Sequence, residues 1–302
     1  MNWLIFALSG PVLWAISTHL DKYLVERYFK NADVAVLLLF TALMGLVLMP
    51  VIAAFEPRVL ARDPLSIALM TLSGLLYMGG VFFYLQALQG HEASVVAPFF
   101  QSSPLFGYVL AYLVLGETLT PLQLTGGALI VIGILSVSIG RRGSREPFRW
   151  RLAGLMLACG FILSLSTLIF KAFAVKEEFW PTTFWMFGGE ALFGFGFLCI
   201  ARYRRQFIEL LRANSAALIG INASNELINL GGALGNRYAL LFAPLAIVQA
   251  ISSTTTLFVF IIGIALTVFA PGLSRESLDL RELVQKGLAA LLVAIGIVLV
   301  SR

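Results

Sequence analysis

Two glutamates, Glu190 and Glu226, lie near the centres of long apolar stretches of this sequence. An ionisable side chain at such a position costs at least ~2.5 kcal/mol if the stretch crosses a lipid bilayer. A residue kept at that cost indicates a functional role, because a neutral residue would fit the stretch better. A carboxyl group there can take up and release a proton, so Glu226 and Glu190 are the two candidates for proton coupling.

Glu226 belongs to a polar stripe that it forms with Asn222, Asn225 and Asn229. The i, i+3, i+4, i+7 spacing places all four side chains on one face of a helix. If this face borders a water-accessible cavity, its amides and carboxylate can hold a small polar substrate. The alternative is that the same side chains form hydrogen bonds between helices and hold a bundle together. We predict that the stripe lines a cavity.

Other apolar stretches also carry polar or aromatic side chains that can reach such a cavity. An amide buried in lipid needs a hydrogen-bonding partner, whereas a hydroxyl often bonds back to its own helix. A tryptophan can stack on a substrate or simply pack between helices. The predicted substrate cavity is lined by Trp14, Ser17, Thr18, Gln101, Asn222, Asn225, Glu226, Asn229 and Gln249.

Two lysines occupy equivalent positions in two similar segments. Residues 17–22 read STHLDK and residues 166–171 read STLIFK, so Lys171 repeats Lys22. We interpret this pair as symmetric gate charges. Two alternatives remain: Lys22 can extend to the membrane surface with its neighbours His19 and Asp21, and Lys171 can be a buried partner of Glu190.

The composition places these residues in a membrane protein. The chain is 59% hydrophobic and 12% charged, with a mean hydropathy of +0.92. A soluble protein carries about twice that charged fraction. Two histidines, two cysteines in apolar segments and no phosphate-binding glycine loop give no sign of a metal, cofactor or nucleotide site. The basic residues lie between apolar segments, which points to membrane orientation and not to nucleic-acid binding.

The apolar stretches predict an all-α membrane protein with about ten transmembrane helices. A basic linker, 141–150, separates two five-helix units at 1–140 and 151–302. Residues 132–138 and 295–301 form a second matching pair of segments, each at the end of its unit. Because five spans is an odd number, the second unit must enter the membrane from the opposite side, which gives an inverted repeat. The predicted spans are roughly 3–21, 33–55, 64–88, 92–115, 120–140, 151–175, 181–201, 213–240, 243–270 and 283–301.

Several motifs of the first unit resemble a known family. Pro104-Leu105-Phe106, the segment 115–120 (LGETLT), the segment 126–133 and Trp14-Ala15 with Lys22 resemble EamA-type transporters of the drug/metabolite transporter superfamily. The second unit departs from the pattern, with three threonines at 254–256 in place of a proline-containing stretch. The resemblance implies a ten-helix carrier with a central cavity and no cofactor, often an exporter of small metabolites.

We therefore predict a secondary transporter, not an enzyme. It would move a small zwitterionic or cationic metabolite by alternating access, and proton-coupled export is one form of this mechanism. A membrane enzyme would need clustered His, Asp and Glu at a membrane edge, and the two histidines have no such neighbours. The alternatives are a lipid flippase and a non-transporting membrane scaffold. We expect a multi-pass protein of a bacterial or archaeal inner membrane, and both monomer and homodimer remain open.

Two arguments give opposite orientations of the chain in the membrane. Fifteen of the 21 Lys and Arg fall in the odd-numbered loops of the ten-span scheme. Cytoplasmic loops carry an excess of positive charge, so this count predicts that both termini lie outside the cell. The family resemblance implies that both termini lie in the cytoplasm.

Overall fold

A computed structural model describes residues 2–27, 33–90, 102–138, 150–213, 216–269 and 280–300. These residues form α-helices and one short 3-10 helix, Pro57–Leu60, and no strand occurs among them. The all-α fold class is confirmed. The helices are α1 Asn2–Arg27, α2 Val34–Phe55, α3 Pro64–Gly90, α4 Ser103–Leu115, α5 Pro121–Ser138, α6 Trp150–Lys176, α7 Phe179–Cys199, α8 Ala201–Ala213, α9 Ala216–Ala239, α10 Leu245–Ser252, α11 Thr255–Phe269 and α12 Leu280–Val300.

The residues at the helix ends account for several of these boundaries. Asp33 adopts an extended backbone, and its carboxylate accepts a hydrogen bond from the Ala35 amide at the start of α2. Asp63 plays the same role before Pro64, which begins α3 with a backbone already suited to the first turn of a helix. Gly116, with φ of +66°, ends α4 in the left-handed conformation that glycine adopts most easily.

Five stretches within this fold are long and apolar enough to cross a membrane, and α7 with α8 makes a sixth if that bent pair is one span. Three shorter apolar helices, α4, α5 and α12, accompany them. Large apolar side chains such as Val47, Leu113 and Leu192 are exposed on the outside of the bundle. This exterior suits contact with lipid, where an exposed apolar side chain carries no cost.

The basic segment after the seventh predicted span is a helix and not the loop that the sequence analysis assumed. Helix α8 turns by 99° from α7 immediately after Cys199. Tyr203, Phe207 and Leu210 are spaced one helical turn apart, and Phe207 and Leu210 pack beside Leu24 and Val36 of the bundle. Four arginines that the ten-span scheme places between two spans therefore belong to an amphipathic helix with one apolar face against the bundle: Arg202, Arg204, Arg205 and Arg212.

Each of four helices in the first half of the chain packs along a helix of the second half. Helix α1 packs along α9, α3 along α6, α2 along α7 and α5 along α12. The contact of α3 with α7 is especially close, because a Cβ atom added at Gly189 would lie 1.9 Å from the carbonyl oxygen of Thr71. This close approach fixes the position of Glu190, the next residue on α7.

Adding a single methyl group at this contact is expected to destabilise the bundle. In Gly189→Ala the two helices must separate, and overpacking of this kind costs about 1–3 kcal/mol. Gly196→Ala is the matched control, because it lies on the same helix and its added Cβ atom would meet nothing within 4 Å. Thermal unfolding of the two purified variants should show a lower midpoint for Gly189→Ala alone. Equal midpoints would contradict the packing described here.

Candidate functional site

A small cavity lies between α2, α3, α7 and α9. About 20 Å³ of it is accessible to the centre of a water molecule. A cavity needs roughly 10–15 Å³ by this measure to hold one water, so this one has room for one or two. Its lining mixes apolar and charged side chains, and the charged residues Glu226 and Arg237 are separated by about 16 Å along α9. The lining comprises Thr41, Met44, Gly45, Tyr77, Phe187, Glu190, Glu226, Asn229, Leu230, Ala233 and Arg237.

Glu226 supplies the negative charge at one end of the cavity. Its side chain is almost fully buried on α9, and the Thr41 hydroxyl of α2 donates a hydrogen bond of 2.9 Å to its carboxylate. No Lys or Arg of the described residues forms an ion pair with it. A buried carboxylate without a basic partner is stabilised by a proton or by a cationic group that enters the site.

Arg237 supplies a positive charge at the other end. Its guanidinium contacts the Glu190 carboxylate at 2.6 Å, and the two side chains are only 7% and 5% exposed. The rings of Tyr77, Phe170 and Phe187 surround the guanidinium, with ring centres 5.2–5.8 Å from its carbon atom. Within the described part of the chain, the buried Nη1 of Arg237 has no hydrogen-bond partner. This donor is available to a carboxylate that enters the cavity.

Arg237 is a lining residue that the sequence-based prediction did not name, although it falls within the predicted span 213–240. It belongs to α9 and lies eleven residues after Glu226. Eleven residues are close to three full turns of a helix, so the two residues share a face. Extending the stripe of Asn222, Glu226 and Asn229 by this spacing would have identified Arg237 as a cavity residue.

The remaining residues of the polar stripe point in different directions. Asn229 lines the cavity beside Glu226. Asn225 donates a 2.6 Å hydrogen bond to the Asp21 carboxylate of α1, so Asp21 is held by the bundle instead of extending to the membrane surface. Asn222 is buried, and neither its amide oxygen nor its amide nitrogen has a hydrogen-bond partner among the described residues.

Helix α1 contacts α9, and none of its described side chains lines the cavity. The Trp14 indole N–H donates to the carbonyl oxygen of Asn229 at 3.3 Å, which ties α1 to the helix that carries the stripe. Ser17 is buried. Thr18 is exposed, and its hydroxyl donates back to the Trp14 carbonyl oxygen of its own helix.

Gln249 is not among the lining residues that the structure describes. The Gln249 side-chain amide donates to the Ser164 hydroxyl at 3.2 Å, at the contact of α10 with α6, and its oxygen abuts Gly107. Gln101 lies outside the described residues. The structure thus brings together Glu190, Glu226 and Asn229 of the predicted set, and it adds Arg237.

Lys171 joins three helices in a cluster of polar contacts that we call the lysine clamp. Its ammonium group forms an ion pair with Glu117, just after α4, and donates to the Ala243 carbonyl oxygen at 2.6 Å. The second oxygen of Glu117 accepts a hydrogen bond from the Leu245 amide at the start of α10. Lys171 is therefore not the partner of Glu190, which pairs with Arg237. The Lys22 side chain lies outside the described part of α1.

Comparison with known proteins identifies the first part of the chain. Residues 1–139 match the profile of the EamA-like transporter family. The chain is also 27% identical to an uncharacterized protein of Methanocaldococcus jannaschii over 136 residues, which cover 45% of this chain and 96% of that protein. Its fold is similar to that of a crystallised protein with a TM-score of 0.68 and 15% identity, over 99% of this chain and 95% of the other.

These findings confirm the resemblance predicted from the motifs. Together with the apolar helices, the match of residues 1–139 supports an integral membrane protein whose first part is similar to a transporter family. The matched family is one of transporters.

Proposed function

We propose that the protein is a secondary transporter that moves a small zwitterionic or cationic metabolite across the membrane by alternating access. The observation that carries this proposal is the cavity between the helices with the buried Glu226 and Arg237 side chains in its lining. A membrane scaffold has no need of such a cavity, since each buried charge lowers the stability of the bundle. A binding site for a charged solute does need it.

The arrangement of the helices supports ten spans in two inverted repeats. The six candidate spans, the three shorter apolar helices and the polar helix α9 supply ten segments. Arg202 pairs with Asp33, so the connections after α1 and α7 share one surface of the bundle. Arg62 pairs with Glu177, so the connections before α3 and α7 share the other. The family profile covers only residues 1–139, as expected if it describes one repeat.

The charges at the two ends of the cavity favour a zwitterion over a simple cation. An ammonium group of the substrate would bind the Glu226 carboxylate, and its carboxylate would accept a hydrogen bond from Nη1 of Arg237. Tyr77 and Phe187 supply apolar surface between the two ends. A cationic substrate would use Glu226 and leave the buried Nη1 without a partner.

The cavity must widen for transport, because its present volume admits water and not a metabolite. We propose that the lysine clamp is one of the gates and that Lys22 serves the equivalent role in the first repeat. Phe170, which lies against Arg237, directly precedes Lys171, so the clamp borders the Arg237 end of the cavity. Breaking the clamp would release α4 and α10 from α6.

Glu226 is the better of the two candidates for proton coupling. Glu190 already has a permanent cationic partner in Arg237, which stabilises its charged form. Glu226 has only the Thr41 hydroxyl and its polar neighbours, so its charge can be balanced by a proton in one state and by substrate in another. We place this cycle in a prokaryotic inner membrane, consistent with the archaeal origin of the similar protein.

The proposal is tested first by finding the substrate. A thermal-shift screen of the purified protein against zwitterionic, cationic and anionic metabolites should give ligands that raise the unfolding temperature. We expect these ligands to be zwitterions, and Arg237→Lys should weaken their effect. Stabilisation by phosphate esters alone, or by lipids alone, would contradict the proposed substrate class and favour a flippase in the second case.

Coupling is tested with Glu226→Gln in liposomes that contain the ligand found by the screen. We expect the wild-type protein to accumulate radiolabelled ligand when a pH gradient is imposed. The variant should still exchange labelled for unlabelled ligand but should show no response to the gradient, because its amide cannot be deprotonated. Glu209→Gln, an exposed position on α8, is the control and should behave as wild type. An unchanged pH response in Glu226→Gln would exclude this residue from coupling.

A further inference from the structure

Helix α8 presents an arginine face that neither the cavity nor the bundle uses. It turns by 99° from α7. With α7 alone taken as the seventh span of the proposed ten, α8 lies outside the span and along the membrane surface. Arg204, Arg205 and Arg212 are exposed. They form no ion pair with any residue that the structure describes.

The other contacts of α8 hold it firmly in this position. Arg202 pairs with Asp33 at 3.2 Å, and the Gln206 side chain accepts a hydrogen bond from the Asp33 amide at 3.4 Å. The Phe207 ring packs against Phe40 with centres 4.9 Å apart. The apolar face is therefore covered by the bundle, and the arginines are exposed on the remaining surface of the helix.

We propose that this arginine face is a binding site for anionic phospholipid headgroups. Guanidinium groups pair with phosphate through two parallel hydrogen bonds, and their positive charge is attracted to an anionic membrane surface. Ile208 is exposed between the arginines and can enter the acyl region below the headgroups. The site is independent of the proposed transport function, because none of its residues lines the cavity.

Bound lipid would also affect the helix that contacts Glu226. Asp33 and Phe40, which anchor α8, belong to the start and first turns of α2, and Thr41 follows Phe40 directly. Thr41 donates the hydrogen bond to Glu226. Anionic lipid on α8 therefore stabilises the part of α2 that borders the cavity.

The test is a thermal-shift titration of the purified protein in detergent with short-chain phosphatidylglycerol, phosphatidylcholine or inorganic phosphate. We expect phosphatidylglycerol to raise the unfolding temperature at lower concentrations than the other two. In the triple variant Arg204→Gln, Arg205→Gln and Arg212→Gln, the concentration needed should rise roughly a hundredfold, because each basic residue near an anionic surface contributes about a factor of five. A variant with lysine in place of the three arginines should still be stabilised by phosphatidylglycerol at close to the wild-type concentration.

Two controls make the result specific. Arg58→Gln removes an exposed arginine on the opposite surface and should leave the titration unchanged. In the wild-type protein, high salt should reduce the increase in unfolding temperature caused by phosphatidylglycerol. This control does not depend on whether a variant folds. An equal response to phosphatidylcholine, an equal response in the triple variant, or a salt-independent response would overturn the proposal. A response to inorganic phosphate equal to that of the lipid would indicate a simple anion site.

Discussion

Replacing Arg237 by methionine is expected to destabilise the protein by about 3–5 kcal/mol, because Glu190 is left as a buried carboxylate without its partner. The two side chains are almost completely inaccessible to solvent, so water cannot replace the lost contact. Methionine keeps most of the volume between Tyr77 and Phe187, which limits the loss of packing. The measurement is the unfolding midpoint of the purified variant, which should fall well below that of Gly196→Ala.

A second substitution separates the structural role of this pair from its role in binding. In the double variant Arg237→Met with Glu190→Gln, the buried charge is gone, and stability should recover most of what the single variant lost. Ligand binding should not recover, because Nη1 of Arg237 is the proposed partner of the substrate carboxylate. A stable double variant that binds the ligand as tightly as the wild type would restrict the pair to a structural role.

The sequence predicted the class of the fold well because composition and helical spacing are local properties. Apolar stretches of about 20 residues and a low charged fraction are enough to indicate a helical membrane protein. The stripe around Glu226 was also readable, because residues separated by three or four positions share a helix face. For the same reason Arg237 was predictable in principle, three turns further along α9.

The partners of the charged residues were not predictable, because they depend on contacts between distant parts of the chain. Lys171 was a candidate partner for Glu190, but the packing of α6 brings it to Glu117, and α9 brings Arg237 to Glu190. Nothing in the local sequence distinguishes these pairings. Similarly, the arginines of α8 looked like a loop, since the apolar face formed by Tyr203, Phe207 and Leu210 becomes evident only at helical spacing.

Removing the lysine clamp is expected to open the cavity. Lys171→Met removes the ion pair with Glu117 and the hydrogen bond to Ala243, interactions that hold α4 and α10 against α6. A hydrogen bond to a charged group contributes about 2 kcal/mol. If the clamp exists only in the closed state, its loss raises the population of open molecules roughly thirtyfold. Ala233→Cys, in a Cys199→Ser background, places a thiol in the cavity lining for the measurement.

The rate at which a polar maleimide labels Ala233→Cys reports this population directly. We expect it to increase at least tenfold when Lys171→Met is added, and to do the same with Glu117→Gln, because both changes break the same contact. Arg202→Gln is the control, since its ion pair is exposed and lies at the opposite surface, so labelling should not change. A clamp that only stabilises the fold would lower the unfolding temperature in both variants without faster labelling. The labelling rate thus separates a gate, which is broken during each transport cycle, from a fixed structural ion pair.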